Sequence, residues 1–293
     1  RRFGSIHSNG IIACFDADCS CDDNYLTALF RHFNTQAHVD ACAVYFEHPL
    51  SGEEDEALYE GIAHYELYLR YYRMGLEYAG LPFAYHTVGS AIVVRSSTYC
   101  KLGGMNKRKA GEDFYFVSKI IKAGGFSNLL TTRVIPSPRI SDRVPFGTGK
   151  AMGDYLHKGR LNMAIPPIEL FTELRDFNSS LHDVFTGNDS VHGAAIGSYF
   201  ASINYSERWD EIRSNISSFA SFRKRFYRWF DALSVLKFVH FSLENGYFKA
   251  PGLLPAAASL LRIYTGKIEL FEDVREMLQF YRDFDKQKTN KST

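Results

Sequence analysis

Two pairs of carboxylates carry the chemistry that can be read from this chain. Asp16 and Asp18 close the apolar run Gly10-Ile11-Ile12-Ala13-Cys14. Glu112 and Asp113 follow Gly111 and open a stretch with Val117, Ile120 and Ile121 at helical spacing. Residues i and i+2 of a strand point to one face, so Asp16 and Asp18 would converge on one ligand if the strand runs through them. Two hard oxygen donors so placed suit Mg²⁺ or Mn²⁺. A plainer reading is helix capping, with Asp22 or Asp23 starting the next helix. Glu112 and Asp113 sit where a helix dipole favours ionised carboxylates, and acids decorate helix starts for that reason alone. A carboxylate held there is also a ready general base at neutral pH.

The elements that must position these acids alternate. Residues 11–16 read as a strand, 22–33 as a helix with Leu26, Leu29, Phe30 and Phe33 on one stripe, and 40–46 as a strand. Ser51 with Glu54 forms a capping box ahead of the strongest helical period in the chain: Leu58, Ile62, Tyr65, Leu69, Tyr72 and Leu76. Gly80 and Pro82 end it. A strand over 89–94, a helix over 112–122 stopped by Gly124-Gly125, and a strand from Phe126 to Leu130 complete an α/β pattern.

From 136 to 149 the chain is punctuated by Pro136, Pro138, Pro145, Gly147 and Gly149, the mark of a long binding loop or lid. Arg139 and Arg143 lie in it, and guanidinium geometry suits phosphate, although loop arginines are as often simply solvated. Beyond it strands become scarce. The segments 170–177, 210–219, 222–243, 253–264 and 268–284 read as helices, and the tail from Lys286 as frayed. A division into a first domain 1–150 and a helical extension 151–293 follows.

The chain of 293 residues has a formal net charge of +1, which asks for no nucleic-acid partner. Its 24 Phe and 18 Tyr suit either a dense core or sugar-stacking surfaces. Five cysteines, with no second pair or His-x-His group to complete a zinc site beside Cys19 and Cys21, fit reduced thiols in the cytoplasm. No apolar run approaches the ~18 residues of a membrane span. His86 and His157 are isolated, and a lone histidine is more often structural than a ligand. Between Phe222 and Phe230, aromatics alternate with Arg223, Lys224, Arg225 and Arg228. That segment reads either as a peripheral contact with an anionic membrane face or as a packed helix with snorkelling cations.

Taken in series, the strand ending in Asp16-Ala17-Asp18, then Gly103-Gly104, then Gly111-Glu112-Asp113 resembles the inverting family-2 nucleotide-sugar glycosyltransferases of the A-type fold. The likeness covers the first half of the chain. It implies a Rossmann-like mixed sheet with flanking helices, here lacking its first strands and therefore part of the donor-base pocket. It implies Asp18 as metal ligand with Asp16 as its partner or a ribose contact, Asp113 as the general base and Glu112 as its positioning acid. Arg139 and Arg143 would contact the donor and Gly103-Gly104 the acceptor, although a plain turn explains those glycines equally well. The expected partners are a nucleotide diphosphate sugar and a saccharide or lipid-linked acceptor. Rival readings are a metal-dependent nucleotidyltransferase or phosphohydrolase using the same acids, and a truncated carbohydrate- or partner-binding module without turnover.

Overall fold

The computed structural model describes residues 10–105, 111–141, 147–188, 193–214, 216–268 and 271–287. In chain order the elements are β1 (Ile11–Ala13), β2 (Ser20–Cys21), α1 (Tyr25–Thr35), β3 (Ala41–Phe46), α2 (Glu56–Tyr78), a 3-10 turn (Gly89–Ala91), β4 (Ile92–Arg95), α3 (Ser96–Lys101), α4 (Glu112–Ala123), β5 (Phe126–Ile135) and α5 (Thr148–Lys158). There follow α6 (Ile168–Ser179), α7 (Leu181–Thr186), α8 (Ala194–Ser202), α9 (Tyr205–Ser214), α10 (Phe219–Trp229), α11 (Ala232–Glu244), α12 (Leu253–Thr265) and α13 (Val274–Gln287).

The chain is a mixed α/β protein. Among the described residues its sheet has the order β1-β4-β3-β5-β2. Only the β3–β5 pair is parallel; β1–β4, β4–β3 and β5–β2 are antiparallel. All six residues of β3 are buried, as a central strand covered on both faces requires. Side-chain alternation sorts them. Cys42, Val44 and Phe46 join Val93 and Leu129 beneath Tyr25, Leu29 and Phe33 of α1. Ala41 and Val94 pack under Phe116 and Ile120 of α4, and Ala43 and Ile92 under Val117. Helices thus cover opposite faces, and each fully buried Leu, Val or Phe stabilises the layer by about 1.5–3 kcal/mol.

Two compact units emerge, interleaved in sequence. One comprises the chain up to Arg70, Tyr85–Asn162 and the chain from Phe271; the other comprises Tyr71–Ala84 and Met163–Leu270. The single cut between 150 and 151 read from the sequence differs from this pattern, because α2 contributes to both units and α13 returns to the first. What returns α13 is a buried ionic network. Arg70 donates to Glu66, Asp285 and the carbonyl of Phe46, and Arg282 donates to Glu66 and the carbonyl of His48.

The second unit is helical with an aromatic interior. Phe177, Phe200, Trp209, Phe226 and Phe230 are fully buried, with Phe177–Phe200 and Phe200–Phe230 centroids 5.1 and 5.2 Å apart. Several elements depart from the sequence reading. The helix expected over 222–243 is two helices, because Asp231 accepts from the Ser234 amide at 3.0 Å and starts α11 afresh. The helix expected from 268 begins at Val274, where Asp273 accepts from the amides of Arg275 and Glu276. Asp55, not the Ser51–Glu54 box, caps α2 through the Ala57 amide at 2.9 Å. Lys286, expected to fray, pairs with Glu47 at 2.7 Å.

Candidate functional site

The acidic pair does not ride on a strand. β1 stops at Ala13; Cys14 makes one more ladder bond, its amide to the Ile92 carbonyl at 2.9 Å, and the chain then turns. The Asp16 carbonyl accepts from the Cys19 amide at 3.0 Å, closing a turn that leads into β2. The strand geometry behind the i, i+2 argument is absent: a turn, not pleating, brings Asp16 and Asp18 together. The turn also brings in Cys19, which the sequence reading weighed only as part of a zinc site. Ligand atoms of Asp16, Asp18 and Cys19 lie within 4.8 Å of one another. The signal was present in the adjacency of Cys19 to the Asp-x-Asp triplet. Both carboxylates are exposed.

Arg139 from the proline-rich loop reaches this turn and pairs with Asp18 through Nε and Oδ2. Arg143 lies outside the described residues. Gly103 and Gly104 follow α3 with φ of +76° and +70°, in the left-handed region that glycine occupies at no steric cost. A Cβ on Gly104 would stand 2.9 Å from the Tyr99 ring, so helix termination and packing already account for that glycine.

Glu112 and Asp113 form the first turn of α4, as the sequence reading expected. Asp113 Oδ1 accepts from the Phe114 amide at 2.6 Å. Burial pushes the Asp113 carboxyl above its ordinary value; the Phe114 bond opposes this, while the charges of Glu112 and Asp16 reinforce it. Asp16 and Asp113 also both raise the Cys14 thiol, after burial, and Asp113 acts likewise on Tyr65, which burial lifts to about 12 despite its bond to Thr148. The two acidic motifs, far apart in sequence, thus share one electrostatic neighbourhood.

The 3-10 turn ahead of β4 lies beside both motifs. The Ser90 hydroxyl bonds the Cys19 thiol, tying this turn to the Asp16–Cys19 turn. Gly89, one residue earlier, faces Asp113: a Cβ there would sit 2.7 Å from Asp113 Oδ2. Only a residue without a side chain lets the backbone approach that carboxylate so closely. The sequence reading took Gly89 and Ser90 as the start of a strand and gave them no role.

The two histidines have separate surroundings. His86 packs edge-on against Phe46 at 5.0 Å and lies 4.0 Å from Asp285, within the ionic network. His157 is exposed on the last turn of α5. All five cysteines are free thiols. Among the described residues no helix is long and apolar enough to cross a membrane. No family model, curated protein or solved structure matches this chain.

Proposed function

We propose that this chain is the core of an inverting glycosyltransferase built on the A-type glycosyltransferase fold, moving a sugar from a nucleotide diphosphate sugar to an acceptor hydroxyl. The observation that carries the reading is the position of Asp113: a half-buried carboxyl at a helix start, with raised proton affinity, within electrostatic range of Asp16. A base needs that combination. A carboxyl raised above its ordinary proton affinity is the stronger base for abstracting a proton.

In this reading Asp113 takes the proton of the attacking hydroxyl, and Glu112 holds the acceptor in line. Asp16 and Asp18 would hold a divalent cation of the Mg²⁺ or Mn²⁺ class through their carboxylate oxygens; the Cys19 thiol beside them, raised by burial, is too soft a donor to be needed by such a cation. Such a cation, when bound, supplies Lewis-acid neutralisation of a leaving diphosphate. Arg139 releases Asp18 and turns its guanidinium to phosphate oxygens, an exchange made easy by exposure of both side chains. Gly103 and Gly104 offer bare backbone to the acceptor. A single attack assisted by one base inverts the anomeric centre.

The test is turnover of UDP- and GDP-sugars by the full chain with Mn²⁺, reading nucleotide release and product anomer. Asp113→Asn should retain donor binding and lower turnover by about 10²–10⁴, the usual worth of a positioned base. Glu112→Gln should act mainly on acceptor KM. Retention of configuration, undiminished turnover in Asp113→Asn, or release of nucleoside monophosphate in place of diphosphate would overturn the mechanism.

A further inference from the structure

Helix α10 carries Arg223, Lys224, Arg225 and Arg228, and all four are exposed. Its other face, Phe222, Phe226 and Tyr227, is buried. The helix has no acidic residue, and among the described residues none of its four cations has a carboxylate partner. Neighbouring arginines behave differently: in α9, Arg208 pairs with Glu211 and Arg213 with Asp210, and in α6 Arg175 pairs with Asp176. The α10 cations are held outward instead. Arg223 is the best fixed, stacked 5.8 Å over the Tyr227 ring, whose far side belongs to the core.

We infer that the outward face of α10 docks on an anionic lipid bilayer, by charge alone. Clusters of four or more Lys/Arg on one helix face attract acidic headgroups, each cation adding an increment that salt screens. Most of the apolar surface that an inserting amphipathic helix would bury in lipid is already used: Phe222, Phe226 and Tyr227 lie in the core, and Phe219 and Trp229 pack against neighbouring rings. Contact is therefore superficial and reversible, with the cations meeting headgroup phosphates and carboxylates. Two observations favour a bilayer over nucleic acid. A chain of net charge +1 lacks the broad positive field of nucleic-acid binders. Of the aromatics of α10, Phe222, Phe226 and Tyr227 are buried, and the half-buried Phe219 and Trp229 are packed on Phe185 and on Phe200 and Phe226, away from use as stacking platforms. The inference is independent of the proposed transferase activity.

Sedimentation of the full chain with phosphatidylcholine vesicles, with and without about 30% phosphatidylserine, tests it. Binding is expected only with phosphatidylserine and should vanish as ionic strength rises from 0.05 to about 0.5 M. Replacing all four cations with Gln (R223Q, K224Q, R225Q, R228Q) should lower partitioning by at least about a hundredfold, at roughly fivefold per charge. The charge-preserving triple R223K, R225K, R228K should bind like wild type. Since all four side chains are exposed, both variants should keep the wild-type melting temperature within about 2 °C. Equal binding to neutral and anionic vesicles, full binding by the Gln variant, or capture by RNA with none by anionic vesicles would overturn the inference.

Discussion

At the scale of single residues, the informative group is Asp113, because its environment works against its ionised form. Burial and the nearby charges of Glu112 and Asp16 raise its folded-state proton affinity. Below the ordinary carboxyl value both folded and unfolded chains hold the proton, and the group is neutral to stability. As pH rises past that value the unfolded chain ionises first, so stability falls until the raised folded value is passed, and the deficit persists at neutrality. Asp113→Asn removes the deficit and keeps the amide acceptor for Phe114. Its melting temperature should exceed that of wild type at pH 7 and converge with it near pH 3. A variant that loses turnover while gaining stability is the signature of a carboxylate kept for chemistry. An Asn variant less stable than wild type at pH 7 would mark Asp113 as a structural cap.

Elements show how far the sequence could be read. The strand at 41–46 was legible as a short continuous apolar run, the pattern of a strand covered on both faces, and helix α4 because Val117 and Ile120 repeat at helical spacing. The acidic turn was legible in composition but not in shape, since an i→i+3 bond at Asp16–Cys19 has no hydrophobic signature. Helix α2 was legible from its apolar period, but the burial of its charges was not: Glu66 and Arg70 are both fully buried. An i, i+4 ion pair looks the same in sequence whether it faces water or the interior. Close packing leaves a second trace on this helix. A Cβ on Gly75 would fall 2.4 Å from ring carbons of Phe171, which is itself fully buried and cannot swing away. Gly75→Ala should therefore cost about 1–3 kcal/mol, overpacking outweighing the helix-propensity gain of about 1 kcal/mol. Urea denaturation measures it, and partial recovery in Gly75→Ala/Phe171→Leu identifies the ring as the cause.

For the molecule as a whole, the decisive feature is the charge network that joins β3, α2 and α13. Glu66 is held well below the ordinary carboxyl value: burial opposes ionisation, but the Arg70 charge and the bonds from His48 and Arg282 outweigh it. Glu47 is likewise held at about 2, against burial, by Lys286, Tyr45 and Arg133. For such depressed acids the stabilisation is complete above pH 4.5 and is lost as pH falls toward 2, the opposite sign to Asp113. Acid unfolding should begin in that window. Arg282→Ala, which leaves Glu66 with a buried charge less well compensated, should cost about 3–5 kcal/mol. A loss under 1 kcal/mol in denaturant titration would show that α13 is dispensable. The bonds from Arg282 to Glu66 and to the His48 carbonyl span 216 and 234 positions. During synthesis, β3 and α2 must therefore wait for residues 271–287 before Glu66 and Arg70 gain their remaining partners, Arg282 and Asp285. A copy interrupted before that segment would carry Glu66 and Arg70 without Arg282 and Asp285. Quality-control proteases could read that defect as incompleteness.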